Sequence, residues 1–131
     1  MTNLVYDGTY EGWLTAIFEV YAGKLEDVVF ARSESSSAFL FGATKTVITD
    51  EEKADRVLKG LQKRLSPAGV TQVHHAFLSD IDRPEEVLWR FVRHVFASPH
   101  NVEEDYGHPA VWEVRQAAKR VKREAHRMEA F

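Results

Sequence analysis

The sequence has no cysteine, which excludes a thiol nucleophile, a thiolate zinc site and a Cys-ligated iron–sulfur cluster from this chain. No apolar run approaches the roughly 18 to 20 residues of a membrane-spanning helix. Met1 to Asp7 lacks the basic start of a secretory signal, so we expect a cytoplasmic protein with no membrane partner. Glycine is sparse, with 7 residues scattered singly, and G-x-G-x-x-G, G-x-x-x-x-G-K-[ST] and G-x-S-x-G are all missing. Phe41-Gly42-Ala43-Thr44-Lys45-Thr46 comes nearest to a phosphate loop, but it lacks the second glycine and runs into β-prone residues. We read it as a turn between strands and expect no bound cofactor. What is present is ordinary: 131 residues, 44% hydrophobic and 28% charged, enough to bury about two thirds of the surface an unfolded chain exposes.

Nor is there an excess of basic charge, since 17 Lys and Arg face 20 Asp and Glu for a net charge of -3. The distribution is uneven. Residues 1–50 hold 3 basic and 7 acidic side chains, whereas residues 109–131 hold 6 basic and 3 acidic ones, a local balance of +3. A mild global charge therefore hides a basic C-terminal segment.

No linker or internal repeat divides the chain, and we expect a single domain over residues 1–131. Leu4 to Tyr6 reads as a strand ended by the turn dipeptide Asp7-Gly8, whose aspartate can cap the next helix. Apolar residues at Trp13, Leu14, Ile17, Phe18 and Tyr21 predict that helix from Tyr10 to Ala22. Val28 to Arg32, Ala38 to Phe41 and Lys45 to Ile48 are further β-prone runs, with a polar loop from Ser33 to Ser37. Thr49 with Glu52 fits a capping box and Asp50 is an alternative cap, for a helix burying Ala54, Val57, Leu58, Leu61 and Leu65. Ser66-Pro67 opens a helix with Val70, Val73, Phe77 and Leu78 on its apolar face, and Arg83-Pro84 opens another with Val87, Leu88, Phe91, Val92 and Val95 inward. Pro109 begins the last, where Val111, Val114, Ala118, Val121, Ala125 and Met128 recur at steps of three and four. The expected fold is α+β and helix-dominated: a small, mainly antiparallel sheet near the N-terminus followed by about four helices.

Six histidines invite a search for a metal. His74 and His75 are adjacent and point about 100° apart on a helix, His94 and His100 flank a helix end, and His108 and His126 have no partner at a ligand spacing. We expect no metal site. Among the acidic residues, Glu26-Asp27 and Glu85-Glu86 suit turns and helix starts, while Glu103-Glu104-Asp105 forms an acidic connection before the last helix. Two basic rows point to nucleic acid: Arg56, Lys59 and Lys63 on one helix, and Arg115, Lys119, Lys122 and His126 on the last, with Arg123 nearby. Each phosphate they contact would release counterions. Trp89 and Trp112 both stand beside an apolar stripe, where a tryptophan either packs under a loop or stacks on a base.

Several segments, taken together, resemble a bacterial family described as "probable DNA metabolism proteins", encoded beside a radical-SAM protein assigned to DNA modification or repair. They are Tyr6-Asp7-Gly8-Thr9-Tyr10-Glu11-Gly12-Trp13-Leu14-Thr15-Ala16-Ile17-Phe18, Leu40-Phe41-Gly42, Val47-Ile48-Thr49-Asp50, Lys53-Ala54-Asp55-Arg56-Val57, Ala76-Phe77-Leu78-Ser79, and the closing Val121-Lys122-Arg123-Glu124-Ala125-His126-Arg127-Met128-Glu129-Ala130-Phe131. The resemblance implies a longer family chain, some members ending in a uracil-DNA glycosylase-like domain, so residues 1–131 correspond to an N-terminal portion or a short member. The sequence departs from the family at His108, which precedes Pro109 where an aspartate is usual. The resemblance transfers no established catalytic residue, but it draws attention to Tyr6, Asp7, Glu11, Glu124, His126 and Arg127. The expectation is an accessory protein that helps a radical-SAM or glycosylase-like partner engage DNA through its basic helix faces. The alternatives are an enzyme of DNA or nucleotide processing with a site near Glu124, His126 and Arg127, and a protein-binding adaptor.

Overall fold

A computed structural model describes residues 1–32 and 42–129, with side chains through residue 125. The chain divides into two compact units, Met1–Gly60 and Leu61–Phe131. The first contains strand β1 (Thr2–Tyr6), helix α1 (Tyr10–Ala22), strands β2 (Val28–Arg32) and β3 (Ala43–Thr46), and the start of helix α2 (Glu51–Arg64). The second takes over at the last turn of α2 and continues through α3 (Pro67–Phe77), α4 (Pro84–Ala97) and α5 (Pro109–Glu129).

The sheet has the order β2-β1-β3. Both pairings are parallel, with Leu4 opposite Phe30 on one side and Lys45 on the other, which corrects the antiparallel expectation. The reason lies in the connection. A 13-residue helix carries the chain back to the end at which β1 began, so β2 must run in the same direction, as in any strand–helix–strand crossover. Packing against the sheet buries more of α1 than a single stripe, including Trp13, Leu14, Ala16, Ile17 and Val20, while Tyr21 is 47% exposed. The Trp13 ring lies 6.4 Å from that of Phe30. The strand expected at Ala38 to Phe41 and the loop from Ser33 to Ser37 lie outside the described residues.

Caps set the helix starts. Thr9, not Asp7, caps α1, its hydroxyl accepting from the Gly12 N–H at 2.9 Å. Asp50 caps α2 through the Lys53 N–H at 3.1 Å, and Thr49 instead donates to Asp7 at 2.7 Å. In the second unit α3, α4 and α5 each begin at proline, where the missing N–H costs no hydrogen bond. Their buried faces are Val73, Ala76 and Phe77 on α3, Leu88, Phe91, Val92 and Val95 on α4, and Ala110, Val111, Val114, Ala117 and Ala118 on α5. Leu78, expected inward, is 59% exposed, and the α5 stripe loses cover at Val121 and Ala125. Arg83 enters α4 at φ 50°, a left-handed conformation, without a side-chain capping bond. Among the described residues, no helix is long and apolar enough to cross a membrane.

Candidate nucleic-acid interface

The connection between α4 and α5 is pinned rather than loose. Val102 is 2% exposed, and Glu103 reaches the start of α3, where its carboxylate accepts from the Ser66 backbone N–H and, at 2.8 Å, from the Ser66 hydroxyl. A methyl group on Gly69 would overlap that carboxylate. Glu103 is thus a second cap for α3, which removes it from the acid–base chemistry an acidic run can suggest.

Further along, the backbone turns through bonds from Asp105 N–H to Val102 O and from His108 N–H to Asp105 O, both 3.0 Å. This turn returns the chain to the end of α4. The Asp105 carboxylate lies 3.0 Å from His94 Nε2, and the His94 and His108 rings stack with centroids 4.0 Å apart. His108 Nδ1 accepts from the Ala110 N–H at 3.2 Å, so the imidazole caps the start of α5. With Nδ1 accepting, its Nε2 is left to donate. Arg90 and Arg93 project from α4 beside these rings. Arg90 meets Glu113 at 3.3 Å, and the Arg93 guanidinium lies 5.7 Å from the Trp89 ring centroid. Together with Ala97, the two arginines and two histidines line an open cavity of about 350 Å³.

On α5 three residues of the predicted basic row, Arg115, Lys119 and Lys122, share a face with an aromatic. Trp112 is 53% exposed, whereas Trp89 is 7% exposed and belongs to the core. Trp112, Arg115, Lys119 and Lys122 follow one another at steps of three, four and three, one face of a helix. Arg115 donates to the Tyr106 hydroxyl and lies 4.9 Å from that ring's centroid. Lys119, Lys122 and Arg123 are exposed and, among the described residues, make no ion pair. Arg120 is directed elsewhere, to Asp80 at 3.0 Å.

The other predicted residues are dispersed. Arg56, Lys59 and Lys63 are exposed on α2. Lys59 is bound to Asp55 at 2.8 Å, a hydrogen bond that raises its pKa. Glu124 is exposed. Positions 124 and 126 of a helix are about 200° apart, so α5 does not gather Glu124 and His126 on one face, and the side chains of His126 and Arg127 lie outside the described residues. Tyr6 is a core residue at 1% exposure, and Glu11 is the acid of the first turn of α1. Asp7 accepts from the Thr9 N–H, the Thr9 hydroxyl and the Thr49 hydroxyl, and these bonds, Thr9 first, lower its pKa. Arg90 and Arg93 were not singled out from sequence, because two arginines on a helix's outer face carry no signal until another segment returns beside them.

No curated protein and no solved structure matches the chain. Residues 82–131, which span α4, the pinned connection and α5, match the family model of a domain of unknown function, DUF4130.

Proposed function

We propose that the protein is an accessory factor of DNA metabolism or repair that binds single-stranded DNA along α5, presenting it to a radical-SAM or uracil-DNA-glycosylase-like partner. One observation carries the DNA-binding part: an exposed tryptophan continues a helix face of cations, Trp112 with Arg115, Lys119 and Lys122. Stacking on an aromatic is tolerant of sequence, and neighbouring cations track the phosphates, which is the combination single-strand binders use. A duplex hides its base faces and would leave Trp112 idle. The partner assignment rests on the family resemblance alone.

The test is a titration of fluorescent single-stranded and duplex oligonucleotides at several salt concentrations. Tighter binding of the single strand, weakening steeply with salt, is the expected result. Trp112→Ala should weaken it by about 1–3 kcal/mol, the range of one base–aromatic stack. Absence of binding at low salt would refute the proposal.

A further inference from the structure

We propose that the cavity lined by Arg90, Arg93, His94 and His108 receives the terminal phosphate monoester of the same DNA strand, so that the protein binds strand ends. This rests on the single-strand reading of α5. His108 caps α5 through the Ala110 N–H and so stands one turn ahead of Trp112, the first residue of the face Trp112, Arg115, Lys119 and Lys122. The face that would stack and track a strand therefore begins one turn from the cavity, and the Trp112 N–H bonds to the carbonyl of the cavity residue His108 at 3.2 Å.

The chemistry of the lining suits a monoester better than an internal diester. A terminal phosphate carries close to two negative charges near pH 7 and an additional oxygen, whereas a phosphodiester carries one. Facing it are two guanidiniums, which bind phosphate oxygens through paired N–H donors, and the start of α5, whose dipole favours an anion. His108 Nε2 is available to donate because Nδ1 is engaged by the Ala110 N–H. Two carboxylates border the cavity, each already bound: Asp105 to His94 and Glu113 to Arg90. Their effect is to orient the imidazole and one guanidinium while leaving Arg93, which has no carboxylate partner among the described residues, as the uncompensated charge. At about 350 Å³ the cavity is at the small end of ligand pockets, which suits a phosphate with its sugar and not a duplex terminus.

The full-length chain is titrated with short oligothymidylates of one length, carrying a phosphate at one end, at the other, or at neither. One phosphorylated end should bind at least about tenfold more tightly than the unphosphorylated strand, the effect of one charge-assisted hydrogen bond. That preference should vanish in Arg93→Ala and Arg90→Ala, both exposed substitutions, while Lys122→Ala weakens all three probes alike. Inorganic phosphate should also shift the imidazole proton resonances of His94 and His108. Equal affinity for the three probes overturns the end-binding cavity and leaves the α5 face standing, whereas failure of every oligonucleotide to bind overturns both. Inorganic phosphate that competes as strongly as the phosphorylated strand would overturn the assignment to a strand end.

Discussion

The Glu103 carboxylate occupies the space that a methyl group on Gly69 would need. Two segments far apart in sequence are thereby fixed at the first turn of α3, and the connection that carries Asp105 and His108 is tied down on its N-terminal side. The contact predicts a coupling between the two positions. Gly69→Ala must swing the Glu103 carboxylate, the far end of a flexible side chain, out of its cap, and because alanine is the better helix former the variant should stay within about 1 kcal/mol of the parent. Glu103→Ala removes a cap and should cost about 1 kcal/mol. In the double variant the overlap is gone and the helix-propensity gain of up to about 1 kcal/mol returns, so urea denaturation should give a combined loss smaller than the sum.

Acid should weaken the first unit through two carboxylates. The hydroxyls and N–H around Asp7 lower its pKa, and Glu19 is lowered chiefly by Lys53 at 2.6 Å. A depressed folded-state pKa contributes stability that is present above the unfolded-state value and is lost as pH falls through the folded one. Asp7→Asn should be less stable than the parent near neutral pH, and the two should converge as the pH drops below the ordinary carboxylate range, near 4. Urea midpoints measured across that range check it; a constant difference between the two proteins would contradict it.

Tryptophan fluorescence separates the three indoles, because Trp13 is fully buried, Trp89 is 7% exposed and Trp112 is 53% exposed. Iodide should quench one accessible population that disappears in Trp112→Phe. The same substitution should alter stability by no more than about 0.5 kcal/mol, as expected of an exposed site. Single-stranded DNA should quench the parent and leave the variant unchanged.

Arg83 holds φ 50° at the entry to α4, a region that glycine occupies without the Cβ clash. Arg83→Gly should therefore raise stability by about 1 kcal/mol, visible as a higher thermal midpoint. Loss of stability would mean that the arginine side chain contributes more than its backbone strain costs.

Helix starts were legible because each has a local chemical reason, such as the proline at 67, 84 and 109 or the acid at 50. The antiparallel expectation for the sheet fails because the helical stripe between Tyr6 and Val28 acts as a crossover, which makes the strands it joins parallel. The α5 face could be read from spacing, yet sequence places Trp89 and Trp112 alike, one step from an apolar stripe. What separates them is tertiary: Trp89 is covered in the core and Trp112 is not. The cavity was not legible at all. His94 and His108 stack only because the connection between them is held by Val102 and Glu103, and no periodicity records a returning turn.

The middle strand of the sheet comes before both of its neighbours in the chain, since β1 bonds to β2 on one edge and to β3 on the other. Its two rows of backbone donors and acceptors therefore stay open until later residues arrive, the second row until Ala43–Thr46. Parallel pairings of this kind close long loops and form slowly, and an open edge is a template for another chain. A fragment ending at Arg32 would keep the β3 side of β1 bare, and should self-associate through it more readily than the longer chain.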